Sequence, residues 1–557
     1  MTRRPVGLLG GALAGILAAA VALGVSELVA GITGPQGGPV VAVGGAAIDM
    51  TPVPVKDFAI AVFGTHDKTV LIAGLLLLLA VFAALIGALA LRWLAAGLAG
   101  LAVFGALGVS AALTRPAAGG ADVVPTLAGV AVAAVALTVL IKAARGAQPA
   151  PRASIPAGAG ARGTQPAPRA TTPVGAPDGP EPSPAADEAA QDGTARGRAG
   201  PPGPDRRRFL AASAGTAVAA AAAGGIGDVL LGRFSAAASR ADVRLPAAAR
   251  RVPGAPPGAD LGISGLSPFF TPNERFYRVD TDLVVPQITP GRWTLRIGGL
   301  VGRDIELTFA DLLKMPLAEH DMTLVCVSNE VGGPYAGNAR WLGVSLPALL
   351  RRAGIRSGAD QVLSTGADGM TISTPVPAIM DGRTALIAVG MNGQPLPVEH
   401  GFPARMIVPG LYGYVSATKW VTRLEVTTFA RQRSYWSQRG YAEQAPIKTE
   451  ARIDVPKPLA QITAGPVAVA GVAWAPHRGI AGVEVNVDGG RWHPARLAAA
   501  DGIDTWRQWT WAWDAPPGLH TLQVRATDGT GATQTSSRAG VFPSGATGWD
   551  SVVLTVS

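Results

Sequence analysis

The sequence predicts three structured parts: an N-terminal bundle of transmembrane helices, a central α+β domain, and a C-terminal β-sandwich of immunoglobulin-like type. Three observations predict them. Apolar residues crowd the first third in runs long enough to cross a bilayer. The middle mixes short β-branched runs with helical stretches, broken by Gly and Pro. The last part alternates apolar and polar residues at period two between Asp-Gly turns. A chain of 557 residues exceeds one ordinary domain.

Arg3 and Arg4 precede an apolar segment from Val6 to about Ile32, and further runs follow at Thr69–Ala90, Trp93–Leu113 and Val123–Ile141. At about 1.5 Å per helical residue each can span a membrane. A cleavable signal peptide competes for the first segment; the three further runs favour a retained four-helix transmembrane region over residues 1–145. With the N-terminus inside, four crossings return the chain to the cytoplasm, the side on which the charge bias puts Lys142 and Arg145. Glu27 falls near the outer end of the first span, either as a functional group or within headgroup reach. His66 lies in a loop and is the only histidine before residue 236. Two helical imidazoles for haem are therefore lacking, as is Cys-x-x-Cys-His.

Residues 146–204 are Pro, Ala, Gly and Arg with almost no large apolar side chains, the composition of a disordered linker. In the segment 205–235, Asp205-Arg206-Arg207-Arg208-Phe209-Leu210 opens an apolar run reaching Leu231. It is similar to a twin-arginine export signal, with a fifth transmembrane helix as the alternative. Both place the remainder of the chain outside the cytoplasm. The net charge of +9 could suggest nucleic-acid binding, but much of the arginine lies in membrane-flanking segments and the Pro-rich linker, which argues against it.

The central domain is expected over residues 236–452. It opens with a loop running from Ser267-Pro268-Phe269-Phe270 to Phe276-Tyr277-Arg278, continues with a strand around Trp293–Ile297, and contains helices at Phe309–Lys314 and Leu346–Ala353. Over residues 453–557, strands at Val483–Val487, before Asp488-Gly489-Gly490, and at Leu519–Ala526, before Asp528-Gly529, mark the sandwich.

Cys326 is the only cysteine, which excludes an internal disulfide, a Cys-rich zinc site and an iron–sulfur cluster held by this chain alone. Its thiol is a buried small hydrophobe, a nucleophile or a metal ligand. It follows the strand-like run Met322-Thr323-Leu324-Val325 and precedes a Gly-Gly-Pro loop, a position where binding groups often sit.

The stretch 391–420, MNGQPLPVEHGFPARMIVPGLYGYVSATKW, with Cys326 and Asn329 upstream as Cys-x-x-Asn, resembles the sulfite oxidase family of molybdenum cofactor enzymes. The ordered elements are Asn-Gly-Gln-Pro-Leu-Pro, His-Gly-Phe-Pro-x-Arg, Pro-Gly and Lys-Trp. The resemblance extends from Phe269 to the C-terminus and implies a molybdopterin domain followed by an immunoglobulin-like dimerisation domain. It implies that Cys326 is the single protein ligand to molybdenum, a soft donor for an ion already held by the two sulfurs of a pterin. By the same resemblance, Asn273, Asp368, His400, Arg405 and Lys419 bind the cofactor, while Tyr441 and Arg507 face the substrate. The family's sulfite-binding arginines are replaced here by Pro272, Glu330 and Val331, and a carboxylate facing sulfite would repel it.

The leading expectation is an enzyme anchored in the cell membrane by several passes, with its catalytic domain extracytoplasmic. It would transfer an oxygen atom to or from sulfite or a related small oxyanion, with two electrons passing to an external partner. The alternatives are a reductase of S-oxides or N-oxides, such as methionine sulfoxide, and a metal-free membrane-anchored binding protein. A homodimer is implied only by the resemblance.

Overall fold

The computed structural model describes residues 8–34, 37–52, 67–115, 119–146, 206–232 and 235–557, with isolated residues between 53 and 66. The expected linker, apart from Gly146, lies outside the described residues, as do Arg3, Arg4, Val6, His66 and Asp205.

Among the described residues, six helices form the N-terminal part: α1 Leu8–Thr33, α2 Pro39–Met50, α3 Asp67–Arg92, α4 Leu94–Leu113, α5 Val124–Gly146 and α6 Arg206–Gly232. The four expected spans coincide with α1, α3, α4 and α5, and the twin-arginine-like stretch starts α6. Among the described residues, five helices are long and apolar enough to cross a membrane. Side chains such as Leu77, Leu85, Leu107 and Val135 are exposed on their outer faces. α1 packs against α3, α5 and α6. Its approach to α3 is close enough that a Cβ on Gly15 would strike the Ala83 carbonyl, the small-residue contact by which apolar helices associate. The short helix α2 has a Pro at its start and too few residues to span. The sequence reading does not contain it.

Past Asp242 two sheets build the central region. One runs Ile305–Thr308, Thr294–Gly299, Val421–Thr427, Gln361–Gly366, Thr371–Pro375, and its only parallel pairing joins Thr294–Gly299 to Val421–Thr427. The other runs Leu317–Val325, Ala336–Ser345, Leu386–Met391, Gln394–Pro395, with Arg405–Ile407 also paired to Leu386–Met391. Helices Phe309–Lys314 and Leu346–Ala353 form where their caps predict them. Thr308 and Asp311 make a reciprocal capping box for the first. Ser345 caps the start of the second, and left-handed Gly354 ends it. A shared core including Leu295, Leu350, Ile387, Val408 and Val426 fills the interior.

The C-terminal part is two facing sheets. One holds Glu450–Val455, Gly465–Trp474, Arg507–Ala515 and Arg496–Leu497. The other holds Gln461–Ile462, Asp550–Val556, Gly518–Asp528, Ile480–Val487 and His493–Pro494. Val469, Trp509, Val485, Leu522 and Val552 pack between them. The boundary expected at 452/453 falls inside the strand Glu450–Val455, which pairs along its length with Gly465–Trp474. Among the bonds that join the two parts, one set centres on the strand before Cys326. Thr323 donates its backbone N–H to the Asp504 carbonyl at 2.9 Å, and its hydroxyl accepts from the Trp506 N–H at 2.7 Å. The Trp506 indole donates to the Phe269 carbonyl at 2.8 Å.

Candidate functional site

Cys326 sits one residue past the strand Leu317–Val325, whose last five residues are buried. Three backbone-anchored bonds fix the turn after it. The Cys326 N–H donates to the Tyr335 carbonyl at 2.9 Å, the Asn329 N–H donates to the Cys326 carbonyl at 3.1 Å, and the Asn329 side-chain oxygen accepts the Tyr335 N–H at 2.7 Å. In Cys-x-x-Asn, Asn329 is therefore the clasp of the loop that presents the sulfur. Cys326 is partly exposed, and it borders a cavity of about 350 Å³. Burial pushes its thiol up, while hydrogen bonds from Ser328 and the charge of Lys419 pull the other way.

Asp368, His400, Arg405, Lys419 and Tyr441 line the same cavity. His400 Nε2 lies 3.2 Å from the Asn273 carbonyl. Burial, with Arg405 and Lys419 nearby, pushes the imidazole down to about 3, so it is neutral. A carbonyl only accepts, so Nε2 carries the proton and Nδ1 is an acceptor. Lys419 is lowered to about 8 by burial despite its ion pair with Asp280 at 2.7 Å. Burial raises Asp368 to about 6, against a hydrogen bond from the Met370 N–H and the charge of Lys419. Arg405 is the least satisfied of the group. It donates to the His400 carbonyl at 3.1 Å and lies over the Trp341 ring at 5.1 Å, but its buried Nε has no hydrogen-bond partner.

Two expected site residues stand elsewhere. Asn273 is behind the cavity wall, where it orients His400 through its carbonyl and accepts the Asn392 amide at 2.9 Å. Arg507 is not brought to the cavity. Its guanidinium donates to the Ala498 and Ile480 carbonyls at 2.8 and 3.0 Å, in a separate hollow of the C-terminal sheets. Glu330 is exposed and outside the cavity lining, so it faces no substrate there. The sequence reading also missed Lys68, Tyr277, Arg278 and Asp280, all of which line the cavity. Asp280 is the hub: although burial pushes it up, Lys419, Arg278 and Lys68 hold its carboxyl well below the usual range. Tyr277 and Arg278 lie in the loop singled out by sequence, but Lys68 comes from α3 and gave no local signal.

A buried guanidinium with an unpartnered Nε, a buried ammonium and a neutral imidazole around a half-buried sulfur fit an anionic, hydrogen-bonding organic cofactor whose metal wants a soft ligand. Comparison with known proteins agrees. Residues 282–436 match the family described as oxidoreductase molybdopterin binding domain. A Bacillus subtilis (strain 168) protein, the uncharacterized oxidoreductase YuiH, is 32% identical over 150 residues, covering 27% of this chain and 72% of that protein. Sulfite oxidase of Gallus gallus is 31% identical over 288 residues, covering 44% of this chain and 62% of its own length. The chain belongs to the sulfite oxidase family of molybdopterin-dependent oxidoreductases.

The family's cofactor is molybdenum-molybdopterin, and the residues just described are the ones that fit it. The chain spans 62% of the chicken sulfite oxidase and about half of the mouse enzyme. Among solved structures, the sulfane dehydrogenase SoxCD from Paracoccus pantotrophus aligns with 53% of this chain and 88% of that one, at 24% identity and a TM-score of 0.46.

Proposed function

We propose that this sulfite oxidase family member is anchored in the cell membrane by its N-terminal helices and carries its catalytic region on the extracytoplasmic side. There it would exchange an oxygen atom with a small sulfur or related oxyanion, sulfite being the first candidate. The observation that carries the reading is Cys326 facing a cavity edged by His400, Arg405 and Lys419, with the Arg405 Nε buried and unpaired. Bound molybdenum-pterin supplies a two-electron couple that gives or takes an oxygen atom. The chain's own groups do the rest. Cys326 is the metal's protein ligand, and Arg405 and Lys419 hold the cofactor's negative charge. Neutral His400 accepts a hydrogen bond at Nδ1, and Asp280 fixes Lys419 in place. Tyr441, edge-on to Trp436 and Tyr414, orients substrate.

Reduction of an S-oxide or N-oxide is the second reading, and the charges in the cavity favour it. Lys68, Arg278, Arg405 and Lys419 face two carboxylates, Asp280 and Asp368. That surplus is of the size a cofactor phosphate takes up, which leaves little attraction for a dianionic substrate. Several further assignments belong to the same proposal. These are an external electron partner, a homodimer, an immunoglobulin-like class for the C-terminal sheets, twin-arginine export through the segment 205–235, and division into units at 1–145, 236–452 and 453–557.

Molybdenum and pterin analysis of wild type and Cys326→Ser tests the reading. Wild type should hold one metal per pterin, and the variant should lose metal by more than about a hundredfold in affinity. A wild-type protein loaded with pterin yet free of molybdenum would sink it. Sulfite and S-oxides assayed with artificial electron carriers then choose the direction.

A further inference from the structure

The N-terminal helices reach into the cavity that Cys326 faces. Ile48 and Thr51, in and just after α2, and Lys68 and Leu71 on α3, form one side of its wall. Three contacts hold this side against the catalytic region. Lys68 pairs with Asp280 and donates to the Asp282 carbonyl at 2.6 Å. The Tyr435 hydroxyl donates to Asp49 at 2.7 Å, with Arg439 3.8 Å from the same carboxylate. Leu283 closes on Gly44 of α2 so tightly that a Cβ there would meet its methyl group. The chamber is therefore built from both parts of the chain.

A second cavity, about 300 Å³ and almost wholly apolar, lies among the helices. Along α2 the lining passes from Val40 and Val43 in that cavity to Ile48 in the chamber; along α3 it passes from Leu79 and Leu75 to Leu71 and Lys68. Gly44, Leu75 and Leu283 meet at the changeover. The two cavities thus adjoin along α2 and α3, with the Gly44–Leu75–Leu283 contact between them.

We propose that the membrane helices complete the substrate chamber, and that it binds a neutral S-oxide or N-oxide with an apolar substituent. The chemistry of the walls selects that class. Asp280 already neutralises part of the cationic charge, so a dianion gains little. Ile48, Leu71, Val279 and Trp436 offer an apolar body a surface that the catalytic region alone would leave half built. Lys68 is a positioning residue, tying α3 to the opening loop. The inference rests on the second reading above, reduction of an S-oxide or N-oxide at a molybdenum held by Cys326, but its test does not depend on turnover.

The test uses the full chain in lipid nanodiscs, with empty nanodiscs as the partitioning control. Calorimetry measures binding of methyl p-tolyl sulfoxide and of dimethyl sulfoxide. Burial of the tolyl ring should make the aryl probe bind about tenfold tighter or more. Leu71→Ala, which trims the wall, and Lys68→Met, which cuts the tie, should each reduce that preference several-fold. Leu71→Trp, which fills the space, should exclude the aryl probe alone. Equal affinities in wild type, no specific aryl binding, or a preference indifferent to all three variants would each overturn the proposal. Molybdenum and pterin content measured on the same samples reports separately on the earlier reading and shows that each variant has folded.

Discussion

Arg405, in the cofactor cavity, and Arg452, at the edge of the C-terminal sheets, are buried to nearly the same depth, 5% and 8% exposed. Arg452 has a partner at each of its three nitrogens: it pairs with Asp454 at 2.8 Å and donates to the Gly333 carbonyl at 2.7 Å and the Ser267 hydroxyl at 3.0 Å. Arg405 has one carbonyl, an aromatic face and an empty Nε. A buried charge with all its partners holds a fold together; one without them costs stability until something else supplies the counter-charge. Burial alone does not distinguish a structural arginine from a ligand-binding one, whereas the completeness of its hydrogen bonding does.

The largest effect separates the two directly. Arg452→Met should lower unfolding free energy by about 3–5 kcal/mol, because it leaves Asp454 buried and uncompensated. Arg405→Met should cost less than about 1 kcal/mol in cofactor-free protein, since an underpaired charge is replaced by a side chain of similar reach, while pterin retention falls at least tenfold. Denaturant unfolding of both variants in detergent, with and without cofactor, decides it. Equal losses in cofactor-free protein would end the distinction.

Glu450 sharpens the comparison from the side of an acid. It is 3% exposed, its Oε1 has no hydrogen-bond partner, and burial pushes its carboxyl from an ordinary 4.5 up to about 8. The folded chain keeps this proton over a pH range in which the unfolded chain has released it. Its contribution is therefore fully present below pH 4.5 and is lost as pH rises through 8, on the order of 1 kcal/mol per pH unit. Glu450→Gln should flatten that slope in thermal unfolding measured from pH 5 to 8.5; an unchanged slope would assign the loss to other groups.

The smallest effect concerns Arg507. Removing its two bonds to carbonyls by Arg507→Ala should cost about 1–2 kcal/mol of stability, leave cofactor content intact, and change turnover by less than about twofold. A loss of turnover without loss of stability would return Arg507 to the substrate site.

What was legible in the sequence is what is decided locally. The strand before Cys326, the helices Phe309–Lys314 and Leu346–Ala353, and the strand Val483–Val487 within Ile480–Val487 follow from alternation, capping residues and turn glycines a few positions apart. His400, Arg405 and Lys419 were found because they fall in one short ordered stretch. Lys68 and Asp280 were not, because they are 212 positions apart and an ion pair over that distance leaves no trace in either neighbourhood. Arg507 was assigned to the substrate by resemblance alone, whereas in the strand Arg507–Ala515 its guanidinium turns toward main-chain carbonyls.

The stitch between Thr323 and Trp506 bears on how this protein can be cut. The strand that ends at Cys326 is clamped on one side by its own sheet and on the other by the loop that enters Arg507–Ala515. A shortened version stopping at residue 452 would keep every proposed cofactor contact, yet the shelf carrying the sulfur would lose its outer clamp. Minimal catalytic fragments of this chain should therefore keep the C-terminal sheets even where pairing of copies is not wanted.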